Sequence, residues 1–248
     1  MKSFGLTDKG KIRKDNQDCF IIEQCEPDKS LVLALCDGMG GENAGEIASS
    51  LSNKAFVSYV YGKLNARVQR RTDYQRLLLQ ACSEANGVAF EYSRFDEAYS
   101  GMGTTLVGGV VKADGSAYLI NVGDSRAYLI SPRRRVIEQI TRDHSLVEEM
   151  VESGLLTKEE ARCHPQKNVI TRALGSEADV QADFFRFRMK SGDLLLLCSD
   201  GLSNTVGDKE LLEYAAACSD PEGLCHSLMD CALERGARDN VTVVVVSK

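Results

Sequence analysis

Leu31-Val32-Leu33-Ala34-Leu35-Cys36 is an unbroken apolar run that stops at Asp37-Gly38-Met39-Gly40-Gly41. A run of this kind bounded by turn residues reads as a buried strand, and its end places a carboxylate on the rim of a sheet. The glycines after it let the backbone approach a ligand closely and take conformations closed to other residues, so a carbonyl or amide can serve as a ligand there. Taken alone, the stretch reads as a tight surface turn after a core strand. It does not stand alone. Leu194–Cys198 is a second apolar run, ending in Ser199-Asp200-Gly201, and Gly236-Ala237-Arg238-Asp239-Asn240 opens a third, Val241–Val246, apolar enough to be buried on both faces.

Between these stretches the hydrophobic period assigns the rest. Residues 3–8 suit a short edge strand, and a polar loop, Gly10–Gln17, leads through Asp18 into a strand at Cys19–Glu23. If that strand runs antiparallel to the Leu31–Cys36 strand, Asp18 and Asp37 share one rim. Helical spacing follows from Glu42 onward, with Ala48, Leu51, Ala55 and Tyr59 on one face, and again over Tyr74–Phe95. From Gly103 the period changes to four successive strands, ending at Val111, Val122, Ile130 and Ile140, whose short connections predict antiparallel pairing. Thr141–Gly175 reads as irregular with two short helices, Glu148–Ser153 and Lys158–Arg162, and is long enough for a flap, placed at about 146–175. Further strands are expected at Asp183–Arg188 and Leu194–Cys198, then helices at Lys209–Cys218 and Pro221–Arg235.

With 248 residues, 43% hydrophobic, only four prolines and no linker or repeat, one domain spanning 1–248 is expected. Nine scattered cysteines without a C-x-x-C pair read as reduced thiols in apolar positions. The N-terminus lacks the apolar core of a signal peptide and no run reaches membrane-spanning length, so a cytoplasmic protein away from membranes is expected. A net charge of −6 argues against nucleic acid as the main partner.

Asp37 and Asp200 close buried strands, whereas Asp239 precedes one, so antiparallel pairing would bring all three to one rim. Three anions there repel strongly unless cations or protons lie between them. Oxygen-only ligands favour hard divalent ions, Mn²⁺ or Mg²⁺, and a pair of such ions activates water and stabilises phosphoryl oxygens. Other phosphate chemistries lack their residues: no Cys precedes an Arg by six positions, there is no D-x-D, only three histidines occur, and no Walker lysine follows the glycines. Arg13, five residues before Asp18, is the cation suited to an anionic substrate.

Gly10-x-x-Arg13-x-x-Asn16-Gln17-Asp18, Asp37-Gly38-Met39-Gly40-Gly41, Gly103-Thr104-Thr105, Val122-Gly123-Asp124-Ser125-Arg126, Asp143-His144-Ser145, Cys198-Ser199-Asp200-Gly201-Leu202 and Arg238-Asp239-Asn240-Val241-Thr242 form an ordered series along nearly the whole chain. The series resembles that of the metal-dependent protein phosphatases of the 2C type in their compact bacterial form. The resemblance implies an α+β fold: a four-layer α/β/β/α sandwich, two antiparallel sheets flanked by helices, with a dimetal cleft at one end. It also implies that Asp37 bridges two metals, that the Gly38 carbonyl binds one, and that Asp200 and Asp239 bind the other. Asp18 would hold metal-bound water, Asp124 would serve a third, weaker site, and Arg13 would bind the substrate phosphate. The implied reaction is direct attack of a metal-bridging hydroxide on phosphoserine or phosphothreonine in proteins, opposing a bacterial Ser/Thr kinase, with a monomer as the expected state.

Two positions depart from the common pattern. Gln17 stands where many members have Glu, and Met39 stands where many eukaryotic members have a His that serves as general acid. His144 is the nearest alternative acid by motif, but a structural role is favoured because it opens a helix beside Asp143. The competing reading is a catalytically silent module that binds phosphoproteins; retention of Arg13, Asp37, Asp200 and Asp239 argues against it.

Overall fold

The computed structural model describes residues 1–26, 28–41, 44–66, 72–95 and 97–248. One sheet contains β1 (Lys2–Asp8), β7 (Arg126–Ser131), β8 (Val136–Gln139), β10 (Leu194–Cys198) and β11 (Val241–Ser247), in the order β1-β11-β10-β7-β8. The other contains β2 (Asp18–Gln24), β3 (Leu31–Met39), β5 (Leu106–Val111), β6 (Ser116–Val122) and β9 (Asp183–Arg188) in that order, with β4 (Gly103–Thr104) paired to the end of β3. Every ladder is antiparallel.

The continuous apolar runs are explained by layering. In β3, Leu33 and Leu35 pack with Leu195 and Leu197 of β10 and Val244 and Val246 of β11 between the sheets. The alternate residues Val32, Ala34 and Cys36 face α1 (Ala44–Asn65) and α2 (Tyr74–Ser93), and Leu196, Val243 and Val245 face α6 (Asp208–Ala217) and α7 (Pro221–Glu234). Period-two alternation therefore feeds two cores from each strand, and the result is four layers, α/β/β/α, in an α+β fold. The expected opening of the first helix at Glu42 lies outside the described residues. All nine cysteines are free, and six of them are buried.

One expected pairing does not form. β6 and β7 are joined only by Gly123-Asp124-Ser125, yet they lie in different sheets. Gly123 has φ +100°, and a Cβ there would stand 2.5 Å from Thr105 Cγ2, so the chain turns a tight corner across the sandwich instead of a hairpin. That corner carries Asp124 to the rim where β3 ends. Between β8 and β9 lie α3 (Leu146–Glu152) and α4 (Lys158–Cys163), with Ser153 as the C-cap of the first and Gly154 after it in the left-handed region, where such helix ends favour glycine.

Candidate functional site

The rim is assembled by strand register. Asp18 stands directly opposite Asp37 in the β2–β3 ladder, so the two project on one face, and the alternation Leu33, Leu35, Asp37 turns that face toward the space between the sheets. In the other sheet β10 and β11 are antiparallel neighbours. Asp200 follows β10 and opens the short helix α5 (Asp200–Ser203), while Asp239 lies just before β11. Each of Asp37, Asp200 and Asp239 is half-buried, and Asp18 is buried.

Close backbone approach brings these segments together. A Cβ on Gly38 would lie 2.1 Å from the Gly45 carbonyl oxygen, and one on Gly201 would lie 2.0 Å from that of Asn240. Gly10 has φ +77°, and a Cβ there would stand 2.2 Å from the Asp239 carbonyl oxygen, so the loop bearing Arg13 lies directly on the Asp239 corner. Asn240 secures it. Its Nδ2 donates to the carbonyls of Lys9 at 3.0 Å and Asp15 at 2.9 Å, and its Oδ1 accepts from the Gln17 N–H at 2.9 Å.

The electrostatics follow from this convergence. Burial pushes the Asp37 carboxyl well above the ordinary range, and Asp18, Asp200, Asp124 and Asp239 push it further. Asp200 is raised to about 6, by burial first and then by Asp239 and Asp18. Asp18 is also raised to about 6 by burial, against the pull of hydrogen bonds from Thr242 and Ser199. Asp124 is raised well above its usual value by burial, Asp200 and Asp143. Arg13 donates from Nη2 to Asp239 Oδ2 at 2.8 Å, which raises its own pKa. Asp143, by contrast, is held by the Arg126 guanidinium, with Nη2 at 2.6 Å from Oδ2. Among the described residues no cationic side chain forms an ion pair with Asp18, Asp37, Asp124 or Asp200.

The donor set fits hard divalent cations. It consists of oxygens only, the carboxylates destabilise one another as anions, and Asp18 Oδ1 is buried without any hydrogen-bond partner. The set is an open one: among the described residues no three Asp, Glu, His or Cys side chains stand close enough to form a finished cage. Two of the carboxylates are instead turned to a local donor, Asp239 to Arg13 and Asp200 to Asn204 Nδ2 at 3.0 Å. Two cavities, of about 470 and about 440 Å³, flank Asp200. Asp124 and Asp143 line the first, Asp239 and Arg238 the second, and Lys167 and Asn204 line both.

All the sequence-derived site residues, Arg13, Asp18, Asp37, Gly38, Asp124, Asp200 and Asp239, thus lie at one end of the sandwich. His144 is committed elsewhere: its Nδ1 accepts the Gly123 N–H at 3.1 Å and its Nε2 lies 3.3 Å from Asp183 Oδ2, so the ring braces the crossover. Met39, the last residue of β3, is a packing residue paired with Gly103 of β4, where a Cβ would come 2.7 Å from Met39 Cε. The sequence reading missed Thr7, Ser199, Asn204, Asn240 and Thr242. A polar residue with the inward parity of Val244 and Val246 was the available signal for Thr242.

Residues 11–234 match the family described as Protein phosphatase 2C. The chain is similar to "Serine/threonine phosphatase stp" of Listeria monocytogenes serotype 4b, with 35% identity over 98% of this chain and 94% of that protein. It is similar to "Protein phosphatase PhpP" of Streptococcus pneumoniae serotype 2, with 37% identity over 98% of this chain and 95% of that one. Among solved structures, serine/threonine phosphatase Stp1 from Staphylococcus aureus superposes with a TM-score of 0.90 at 36% identity, covering 100% of this chain and 94% of the other.

Proposed function

This chain belongs to the protein phosphatase 2C family and is a serine/threonine protein phosphatase, and on that premise we propose how its site works and what it serves. Asp37, Asp200 and Asp239, with the Gly38 carbonyl, would hold two Mn²⁺ or Mg²⁺ ions, and Asp124 a third ion more weakly. The family is metal-dependent; such ions, when bound, activate water for attack on phosphorus and neutralise phosphoryl oxygens. The observation that carries this reading is geometric: Asp18 stands opposite Asp37 in register, Asp124 and Asp200 line one cavity, and Asp200 and Asp239 line the other.

The chain's own residues supply the rest. Arg13 is 54% exposed beside Asp239 and uses only Nη2 on it, so its remaining donors are open to a phosphoryl group. Asp18 offers an unpaired oxygen that can accept a proton from water. With Met39 after Gly38 and His144 bracing the crossover, the leaving-group proton comes from water, and turnover rises with leaving-group acidity. Lys158, Arg162 and Lys167 line the same cavity as Asp124 and Asp200, which supports a flap at 146–175 that covers the phosphorylated segment. Substrates are phosphoproteins; we assign them to the marks of a Ser/Thr kinase and the protein to the cytoplasm, acting as a monomer without nucleic acid. Among the described residues no helix is long and apolar enough to cross a membrane.

Hydrolysis of p-nitrophenyl phosphate and of a phosphothreonine peptide tests this. Both activities are expected to require Mn²⁺ or Mg²⁺ and to vanish in chelator and in Asp239→Ala, whereas Arg13→Ala raises KM for the peptide more than it lowers kcat. Full activity in chelator would overturn the mechanism, and an unchanged KM would remove Arg13 as the phosphate ligand.

A further inference from the structure

We propose that Thr242 and Ser199, with Thr7 behind them, are positioning residues for this reaction: their hydroxyls form a directed hydrogen-bond relay that fixes Asp18 and presents its second oxygen to the cation site. The inference rests on the metal-dependent reading above. Asp18 Oδ2 lies 2.6 Å from Thr242 Oγ1 and 2.7 Å from Ser199 Oγ. Distances this short suit hydroxyls donating to a carboxylate.

The direction of the relay is forced by donor inventory. Thr242 Oγ1 has one proton, directed at Asp18, so across its 2.7 Å contact with Thr7 Oγ1 it must accept. Thr7 Oγ1 in turn accepts from Asn16 Nδ2 at 2.8 Å, and Asn16 Oδ1 receives the Asp18 N–H at 3.1 Å, closing a ring. Ser199 Oγ, having donated to Asp18, accepts the Thr242 N–H at 2.9 Å. The ring joins β1, β2 and β11, and Ser199, which follows β10, attaches to it through Asp18 Oδ2 and the Thr242 N–H, so the two sheets are tied together at the rim where β3 and β10 end.

The relay occupies one oxygen of Asp18 and leaves the other. Oδ1 is buried and has no donor partner, and the Asp37 carboxyl opposite it in register can bond to Asp18 only when one of the two holds a proton. An unpaired buried carboxylate oxygen is costly to keep, and its natural complement is a proton donor carried by a hydrated divalent cation. If the hydroxyls served packing alone, Oδ1 would have no reason to stay unsatisfied while two donors crowd Oδ2.

Calorimetric titration of the full chain with Mn²⁺, beside p-nitrophenyl phosphate hydrolysis at varied Mn²⁺, tests the assignment. Thr242→Val keeps the side-chain shape and removes the hydroxyl; it is expected to weaken Mn²⁺ binding about tenfold, with kcat at saturating Mn²⁺ falling less. Thr242→Ser keeps the hydroxyl and is expected to restore affinity to within about twofold. Unchanged affinity in folded Thr242→Val overturns the proposal, as does Thr242→Ser binding as weakly as Thr242→Val, since lost methyl packing would then be the cause. If Thr242→Val does not fold, two other variants decide. Ser199→Ala removes a donor from Asp18 and should lose more affinity than Thr7→Val, which leaves both donors in place; equal or reversed losses overturn the relay. A wild-type chain that neither binds Mn²⁺ nor hydrolyses phosphate esters would instead overturn the metal-dependent reading itself.

Discussion

Asp-Gly occurs at the end of β3, as Asp37-Gly38, and after β10, as Asp200-Gly201, but the chain leaves the two places differently. β3 continues through Gly38 and Met39, paired with Thr104 and Gly103. At Asp200 the backbone turns at once into α5, with Ser199 as its N-cap. What the two share is the glycine, against which another segment presses: the first turn of α1 on Gly38, the Asn240 carbonyl on Gly201. The carboxylates also differ in company. Asp37 is surrounded by other acids, whereas Asp200 has the Asn204 amide at 3.0 Å and the fields of Lys167 and Arg126. Burial first, then the neighbouring acids, raises both carboxyls, Asp37 well above the usual range and Asp200 to about 6. The repeated dipeptide therefore marks a need for backbone contact, and Asp37, which feels the Arg13 charge but has no hydrogen-bonded counter-group, is the carboxylate that most needs cations.

Asp37→Asn tests that difference most severely. Turnover is expected to fall about 10³-fold or more, since one change removes a ligand and an anion from the reacting centre. In chelator the same variant should unfold at a higher temperature than wild type, because its amide needs neither a desolvated, repelled charge nor the uptake of a proton on folding, and Asp200→Asn should gain less. Asp18 and Asp200, both raised to about 6 from 3.8, bind more protons folded than unfolded between those values. The metal-free protein therefore loses stability as pH rises through that window, and Mn²⁺ should flatten the slope. A metal-free Asp37→Asn that melts below wild type would refute the repulsion.

Much of this site was legible because period-two alternation and strand ends are local. The run Leu31–Cys36 fixed where Asp37 would stand, and antiparallel pairing then placed Asp18 directly opposite it. The crossover at Gly123 was not legible. Loop length alone favours a hairpin, whereas the corner depends on Gly123 meeting Thr105 and on His144 holding its N–H. Nor was the Thr7–Thr242–Asp18 ring, in which Thr242 lies more than two hundred residues from the other two in sequence. A threonine in a strand carries no local mark of such a partner. Arg13 was identified as the site's cation, but its pairing with Asp239 depends on the loop that Asn240 secures.

A second test addresses what the two dipeptides share. Gly38→Ala and Gly201→Ala each force a methyl onto a backbone oxygen nearer than 2.5 Å. Each should cost about 1–3 kcal/mol, read as a lower urea midpoint. Gly62, within α1, has nothing within 4 Å of an added Cβ. Gly62→Ala should therefore stabilise by about 0.5–1 kcal/mol and serves as the control. Equal behaviour of the three variants would mean that backbone contact does not explain the dipeptides.

The smallest effect is expected at Asn204, the counter-group that Asp200 has and Asp37 lacks. Its Nδ2 donates to Asp200 Oδ2, its Oδ1 lies 3.5 Å from Lys167 Nζ, and its backbone N–H donates to the Asp200 carbonyl at 2.7 Å. Two effects of Asn204→Ala oppose each other: loss of the amide disorders the carboxylate, but it also releases an oxygen that a cation could use. A carboxylate has two oxygens with about four lone-pair sites, and the amide occupies only one of them. Orientation should therefore prevail. One such hydrogen bond contributes about 1 kcal/mol, so Mn²⁺ affinity should fall about fivefold, and the pH needed for binding should rise as Asp200 comes to resemble Asp37. Tighter Mn²⁺ binding in Asn204→Ala would show that amide and cation compete for the same oxygen, and that Asp200 differs from Asp37 by being partly blocked rather than better held.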